Sequence, residues 1–347
     1  MDSSPHDIAV FGSTPLALLL AGALAARHEK RVILVGERYS PLRLSESLHL
    51  CALPSARPET WSLLATLEAE TAVLLAEAGA PAPSRTTVTL HAEQSSVAAL
   101  AHIRHLAAAY GLRTEADKSG SSLRLRGVAT LAEDTSYPAL DSWMDRLGII
   151  RLPGADTELS VLKNGSAVLT TGAQLLTAKH AVLADDTAIM SVLHPAARPY
   201  MLRIVDGSAT LTSKAKPLAD PVSIYLDRGV DLSMRGERLI AHVRGHADAD
   251  ARLGSCLAGQ PALVRAATRK LRRLEASDGA PVVGLLQSPR LFVAAGLGDA
   301  AAFFAPALAR IIAGAPAPGE RAWFTRHAPS QSADRTAIAD YAPAVFA

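Results

Sequence analysis

The chain has few cysteines, few aromatic residues and no excess of either charge, and each shortage excludes a class of protein. Its 347 residues include only Cys51 and Cys256, which provide neither metal-ligand spacing nor a disulfide framework. Aromatic residues make up 4% of the chain, which argues against base-stacking surfaces. The formal net charge is +2 and no long basic run occurs, so nucleic-acid binding has no support.

Sequence signals for a metal centre, a serine nucleophile or a targeting segment are missing as well. His102 and His105 have helical spacing, but no Glu or Cys joins them at ligand spacing. No Gly-x-Ser-x-Gly elbow occurs. Residues 1–7 are acidic and polar, unlike the basic start of a signal peptide, and the apolar run at 16–26 is short for a membrane span. We therefore expect a cytoplasmic protein with no membrane span.

What the chain does have is 49% hydrophobic residues, ample for a large core, and a glycine-containing segment near each end. The first segment is an apolar strand that reaches Gly12, then an apolar helix, then a second strand that ends at Glu37. This order predicts a dinucleotide-binding βαβ unit, in which the first N–H groups of the helix face a pyrophosphate. Glu37 is placed to accept hydrogen bonds from a ribose diol.

The first segment departs from the G-x-G-x-x-G pattern at one position. Gly12, Thr14 and Ala17 stand at the three pattern positions. Ala17 still allows close packing of helix on strand, whereas the β-branched Thr14 stands where the backbone should approach the phosphates. Pro15 is acceptable in the first helical turn. The alternative is a nucleotide-free βαβ unit in which Gly12 only makes the turn.

The second segment is the strand at 291–295 with Gly296, Gly298 and Asp299, followed by an apolar helix at 300–313. Two strand–glycine–helix units in one chain indicate that both termini converge on one long cofactor. That cofactor is expected to be FAD.

Between these segments the pattern alternates between helical and extended periods. Predicted helices cover 58–79, 96–110, 137–147 and 261–274, the last one basic. Predicted strands cover 86–90, 123–131, 149–152, 159–162, 167–171 and 181–184, and 199–246 reads as an antiparallel sheet. Residues 315–347 are rich in proline and polar groups and are expected to be a surface tail.

Five segments together resemble FAD-dependent oxidoreductases of the D-amino-acid oxidase and glycine oxidase group. They are the Gly12 unit with Glu37-Arg38, the helix from Tyr137 to Gly148, the strand 178–185, the turn 278–284 (Asp-Gly-Ala-Pro-Val-Val-Gly), and residues 296–310 with Pro306. The resemblance implies an α/β fold: a Rossmann-type, glutathione-reductase-like FAD-binding domain interleaved with an antiparallel-sheet substrate domain. The expected FAD domain comprises 1–80, 130–195 and 278–330, the substrate domain 81–129 and 196–277, and the tail 331–347.

The departures from that family fall together around the expected cofactor. Asp185-Asp186 and Ala301 stand where the family has glycines that let the backbone approach the flavin. Two adjacent carboxylates beside a pyrophosphate would repel it. Either they turn away, or FAD binding is weakened or lost.

A second resemblance is to aromatic hydroxylases and flavin-dependent halogenases. It rests on Glu37-Arg38 with Ser45 in the following loop, and on 298–306 (Gly-Asp-Ala-Ala-Ala-Phe-Phe-Ala-Pro). In those families the Gly-Asp-Ala-Ala run contacts the ribityl chain, so Asp299 would accept its hydroxyls. The residues that these patterns place around the cofactor are Gly12, Ser13, Thr14, Ala17, Glu37, Arg38, Ser45, Asp185, Gly296, Gly298, Asp299 and Ala301.

Arg273 and Tyr225 are the candidate catalytic residues. Arg273 precedes Asp278 by five positions, where the resemblance implies an arginine that clamps a substrate carboxylate with its fork. Its alternative role is the solvated face of the basic helix. Tyr225, with Arg228, stands on the alternating sheet and could line the substrate pocket or simply pack.

The leading hypothesis is therefore an FAD-dependent oxidoreductase that oxidises a small amine or amino acid by hydride transfer to flavin. The alternatives are an aromatic hydroxylase-like FAD monooxygenase, and a degenerate flavoprotein-fold subunit or maturation partner with weakened FAD binding. In the last case the C-terminal tail, with Trp323, Phe324, Tyr341 and Phe346, would dock on a partner subunit.

Overall fold

Two eight-stranded sheets organise the protein in the computed structural model, which describes residues 5–40, 43–51, 57–93, 96–245, 247–257 and 264–331. The strands of this part of the chain are β1 (His6–Phe11), β2 (Val32–Val35), β3 (Ser84–His91), β4 (Arg113–Ala116), β5 (Ser122–Thr130), β6 (Ile150–Leu152), β7 (Thr157–Val161), β8 (Ala167–Thr171), β9 (Gln174–Leu183), β10 (Leu202–Lys214), β11 (Val222–Tyr225), β12 (Val230–Arg235), β13 (Arg238–Arg244), β14 (Arg265–Ala276), β15 (Val282–Leu285) and β16 (Phe292–Ala295). The α-helices are α1 (Pro15–His28), α2 (Pro58–Ala78), α3 (Val97–Ala109), α4 (Glu133–Arg146), α5 (Asp186–Val192), α6 (Ala249–Cys256), α7 (Ala305–Ala313) and α8 (Pro318–His327).

The first sheet has the strand order β15-β16-β9-β1-β2-β6, with β7 and β8 attached beside β9. The strands β16, β9, β1, β2 and β6 run parallel. The residues of β2, and most of those of β1 and β16, are apolar and buried, as in parallel sheets that are covered on both faces. This order places the carboxyl ends of β1, β9 and β16 at one edge, so the two glycine turns and Asp185 meet there.

The helical layer packs α1 against α4, α7 and the 3₁₀ turn at 298–304. Ten of the fourteen residues of α1 are buried. Gly22 on α1 lies against the Trp143 ring of α4, where a Cβ atom would come within 2.1 Å of the ring. A glycine is therefore required for the two helices to approach this closely.

The second sheet has the order β14-β10-β13-β12-β11-β3-β5-β4 and is antiparallel except between β11 and β3. Strands from 84–130 and from 202–276 thus form one continuous surface. This surface faces the carboxyl edge of the first sheet, because Leu274 of β14 and Asp186 of α5 are hydrogen-bonded to each other.

The predicted helix at 261–274 is wrong. Residues 265–276 form β14, which pairs antiparallel with β10 along its whole length, from Leu202↔Ala276 to Thr212↔Arg265. Leu271, Leu274 and Ala276 are buried, and backbone pairing with β10 outweighs the local helical preference of this basic stretch. Pro261, the predicted first residue of that helix, lies outside the described residues.

The predicted surface tail is also wrong for residues 318–327, which form α8. Trp323 and Phe324 are 3% and 5% exposed and pack in the core, and the Trp323 indole donates to Thr60 Oγ1 at 3.1 Å. Neither side chain is available to dock on a partner. Tyr341 and Phe346 lie outside the described residues.

Within the part of the chain that the structure describes, no single helix combines the length and apolarity that crossing a membrane requires. One pair, 298–313 with 318–327, satisfies both conditions jointly but is bent by 93°.

Replacing Gly22 by alanine is expected to lower the free energy of unfolding by about 1–3 kcal/mol, because the new methyl group overlaps Trp143. Gly254→Ala on the exposed face of α6 is the matched control, since no atom lies within 4 Å of the new Cβ. It should stabilise the protein by about 0.5–1 kcal/mol. Denaturant unfolding of both variants measures the difference, and equal effects would contradict this packing of α1 on α4.

Candidate cofactor and substrate site

The N-terminal βαβ unit forms as the sequence predicts. Gly12 N–H donates to the Val35 carbonyl at 2.9 Å, and Glu37 N–H donates to Ser13 Oγ at 2.8 Å. A Cβ atom on Gly36 would lie 2.2 Å from the Gly12 carbonyl oxygen, so the two turns are in direct contact. Glu37 is exposed at the end of β2, where its Oε1 accepts from Ala155 N–H at 3.3 Å.

The side chain of Asp185 lies at the N-terminus of α1. Its Oδ2 accepts from Ser13 N–H at 2.7 Å, and its Oδ1 accepts from Ala188 N–H at 2.8 Å, which caps α5. A Cβ atom on Gly12 would lie 2.8 Å from Asp185 Oδ2. Burial raises the pKa of Asp185, although the two N–H donors act to lower it. The carboxylate therefore does not turn away; it faces Ser13 N–H, at the turn where the sequence predicts the pyrophosphate.

The next residue, Asp186, joins the second sheet to the C-terminal glycine turn. Its Oδ2 accepts from Leu274 N–H at 3.0 Å and its Oδ1 from Gly296 N–H at 3.4 Å. Gly296 has φ 68°, a conformation that favours glycine and aims this N–H at Asp186. Burial raises the pKa of Asp186 to about 7, against the lowering effect of the two N–H groups.

Asp299 follows that turn and is 5% exposed. Its Oδ1 accepts from Leu48 N–H at 3.1 Å. Burial alone would raise the pKa of Asp299, but the charges of Arg273 and Arg244 outweigh burial and hold it below the ordinary value. Of the other predicted cofactor residues here, Gly298 begins the 3₁₀ turn and Ala301 lies half-buried within it.

Three cavities that share lining residues follow the path between the two glycine turns. The largest has a volume of about 160 Å³ and lies between Gly296 and the second sheet. A cavity of about 70 Å³ borders Asp185, Asp186 and Thr14. A cavity of about 30 Å³ lies beyond Thr14 and is bordered by Tyr39 and Tyr137.

Arg273 and Tyr225 both border the largest cavity, but from different strands. Arg273 lies on β14 and its guanidinium donates to the Glu46 carbonyl. The Tyr225 hydroxyl donates to the Cys256 carbonyl at 3.4 Å, and its ring stacks on His91 with centroids 4.4 Å apart. Arg228, the predicted second cation, forms an ion pair with Glu93 and donates a hydrogen bond to Ser255 Oγ at 2.6 Å.

The sequence reasoning missed a buried ion pair in the wall of the same cavity. Arg244 Nη2 lies 3.7 Å from Asp231 Oδ2, and Asp231 is 1% exposed. Arg244 Nε and Asp231 Oδ2 are shielded and have no hydrogen-bond partner among the described residues. Burial raises the pKa of Asp231 to about 6 in spite of Arg244. The sequence signal that could have indicated this buried acid is the position of Asp231 between the apolar residues Val230 and Leu232.

A second cluster was also missed, on the Thr14 side of the path. Glu46 Oε1 accepts from Arg43 at 2.8 Å and from Arg269 at 2.6 Å. Burial alone would raise the pKa of Glu46, but these arginines hold it below the ordinary value. The Tyr137 hydroxyl donates to the Ser13 carbonyl at 2.9 Å. The cluster closes the path beside the α1 turn.

The remaining predicted cofactor residues lie at the edges of the site. Arg38 is exposed and 3.6 Å from Asp145, while Ser45 donates to the Ser47 carbonyl. Ala17 is fully buried and would meet a Gly12 Cβ at 2.7 Å. Thr14 Oγ1 is shielded and has no partner among the described residues. Among those same residues no group of three His, Cys, Asp or Glu side chains could hold a metal ion.

The residues of this path fit FAD at its two ends but not in the middle. Gly12, Gly36 and Glu37 suit an adenosine, and Gly296 and Gly298 bring the backbone close to the largest cavity at the other end. Between them Asp185 accepts from Ser13 N–H, where the sequence predicts the pyrophosphate, and all three cavities are smaller than the roughly 300 Å³ or more that bound organic ligands usually occupy.

No protein-family model and no curated protein matches this chain. Solved structures do. L-proline dehydrogenase from P. horikoshii aligns with a TM-score of 0.71 and 13% identity, covering 92% of this chain and 96% of that one. Glycine oxidase from Geobacillus kaustophilus aligns with a TM-score of 0.70 and 16% identity, covering 92% of this chain and 98% of that one. An L-amino acid deaminase from Proteus vulgaris, with an insertion deleted, aligns with a TM-score of 0.71 and 12% identity, covering 95% of each chain.

The chain therefore has the fold of these amino acid oxidising enzymes, along nearly its whole length. The predicted fold class is confirmed, with a Rossmann-type first sheet and a second, mostly antiparallel sheet. The resemblance to the D-amino-acid oxidase and glycine oxidase group is confirmed at the level of the fold.

The raised pKa of Asp186 predicts a pH-dependent stability that Asp186→Asn removes. A carboxyl whose pKa is higher in the folded state stabilises most below its unfolded pKa of about 4, and loses that contribution as pH rises through about 7. Between pH 5 and 8 the wild type should lose about 1–2 kcal/mol relative to the variant, the shift being discounted for partial exposure. Denaturant unfolding of both proteins across this range measures the difference, and parallel pH profiles would contradict it.

Proposed function

We propose that the protein is an FAD-dependent oxidoreductase that oxidises a small amine or amino acid. The observation that carries the proposal is the 160 Å³ cavity between the second sheet and the Gly296 turn, with arginines in its wall. It lies in a fold shared with a proline dehydrogenase, a glycine oxidase and an amino acid deaminase. We also propose that the first sheet binds the cofactor and the second sheet the substrate.

The wall of the cavity suits a small zwitterion. Arg273 and Arg244 lie on neighbouring parts of the second sheet and can receive a carboxylate, for which a guanidinium fork is well matched. Asp231 supplies a buried negative charge for an ammonium group. The volume holds on the order of ten water molecules, the size of a small amino acid rather than a peptide.

FAD, when bound, supplies the acceptor for a hydride from the carbon–nitrogen bond of the substrate. The chain's own contribution is to hold the substrate carboxylate at Arg273 and to keep water out of the cavity beneath the second sheet. Gly296 and Gly298 bring the backbone close to the cavity at the cofactor end.

A second candidate is a flavoprotein-fold subunit or maturation partner with weakened FAD binding. One observation favours it: the Asp185 carboxylate on Ser13 N–H. The burial of Trp323 and Phe324 removes the part of that hypothesis that used them for docking. The aromatic hydroxylase alternative gains nothing from the structures compared above and is not carried further.

The proposal predicts that the purified protein takes up added FAD and oxidises one or more small amino acids. Absorbance at the flavin bands after gel filtration measures uptake, and anaerobic bleaching of the bound flavin by a panel of amino acids and amines identifies the substrate class. Arg273→Met should lower kcat/KM for an amino acid by about 100-fold, because a charged pair is lost.

The matched comparison for Arg273→Met is an amine of the same size that lacks a carboxylate. Its oxidation should change much less, which separates a carboxylate clamp from general damage to the site. A protein that takes up no flavin at any added concentration, or a loss that is equal for both substrates, would contradict the proposal.

A further inference from the structure

The N-terminus of α1 already holds an anion, and that anion belongs to the chain itself. The start of a helix carries partial positive charge and unpaired N–H groups, which is why phosphates bind there. Asp185 Oδ2 accepts a hydrogen bond from Ser13 N–H at 2.7 Å, a short, charge-assisted contact. The same carboxylate caps α5 through Ala188 N–H, so one side chain serves two helices.

The fit around this carboxylate is close on the side that faces Gly12. A Cβ atom at Gly12 would meet Ala17 Cβ at 2.7 Å and Asp185 Oδ2 at 2.8 Å. Behind Asp185, Asp186 is tied to Leu274 and Gly296, so α5 cannot move without breaking contacts to β14 and to the C-terminal turn. A pyrophosphate cannot reach Ser13 N–H while Asp185 is in place.

One group at the same turn has no hydrogen-bond partner among the described residues. Thr14 Oγ1 is shielded from solvent and unbonded among the described residues, on the wall shared by the two smaller cavities. Arg43 borders the 30 Å³ cavity together with Thr14 and is held by Glu46. A hydroxyl donor and an arginine therefore border the same small cavity at the α1 turn.

We propose that Asp185 is an internal substitute for the dinucleotide pyrophosphate, so that a dinucleotide binds this chain only by displacing it from the α1 N-terminus. The inference rests on the proposed function only for the identity of the dinucleotide as FAD. The chain's affinity for a pyrophosphate ligand is then set by competition with its own carboxylate.

The test is the affinity for ADP, which carries the pyrophosphate without the flavin, measured by calorimetry on the full chain at pH 8. Asp185→Asn removes the charge and keeps the α5 cap, since Asn and Asp cap helices equally well. It should bind ADP at least tenfold more tightly than the wild type, about 1.4 kcal/mol. Asp185→Ser, which also caps and is smaller, should show the same direction; thermal unfolding checks that both variants are folded.

Asp186→Asn is the matched control, because it removes one negative charge from the adjacent residue without freeing Ser13 N–H. The gain in ADP affinity of Asp186→Asn should be clearly smaller than that of Asp185→Asn. Equal gains would show that only net charge matters, and would overturn the inference, as would no gain in either Asp185 variant.

A parallel FAD titration separates this inference from the proposed function. If Asp185→Asn binds ADP more tightly but no FAD is taken up, Asp185 does stand in for the pyrophosphate, and the proposed oxidoreductase function is ruled out. Wild-type protein that holds FAD tightly, with no change in Asp185→Asn, keeps the oxidase and overturns the role of Asp185.

Discussion

The contact between the Asp185 carboxylate and the N-terminus of α1 is the interaction on which the arrangement of the site depends. It satisfies one donor in the turn that leads into α1 and one in the first turn of α5, the helix after β9. Asp186 extends the connection to Leu274 on β14 and to the Gly296 turn. Two consecutive acids thereby join three parts of the chain at the sheet edge where open α/β folds offer an anion site. The two glycine turns do converge, and they converge on these side chains.

The charges around that junction largely balance without a ligand. Glu46 lies between Arg43 and Arg269, Asp299 lies near Arg273, and Asp231 is paired with Arg244. Buried charges are costly unless they are paired, so pairing within this network lets these charged side chains lie together along the path between the glycine turns. The wall of the largest cavity contains the Arg244–Asp231 ion pair, whose facing atoms are 3.7 Å apart. This cavity lies at the Gly296 end, and the two smaller cavities border Glu46.

The sequence predicted the parts of the fold that local spacing determines. The βαβ unit, α2 with Gly79 beyond its end, and β16 before Gly296 all depend on short-range patterns of apolar residues and glycine. It failed where distant pairing decides. Arg269 and Arg273 satisfy a helical spacing as well as a strand, and only hydrogen bonding to β10 makes the segment β14. Trp323 is buried through contacts that include Thr60 of α2, which no local pattern reveals. The sequence showed that an acid at position 185 would conflict with a bound pyrophosphate. It did not show which way the Asp185 side chain points, because that depends on its cap of α5, a helix too short to predict.

A crystal structure of the chain with ADP tests the central claim most directly. The account predicts that the phosphate oxygens contact Ser13 N–H and that the Asp185 side chain has left this position, with α5 shifted relative to β14. A complex in which ADP is bound at the α1 N-terminus while Asp185 Oδ2 still accepts from Ser13 N–H would contradict it.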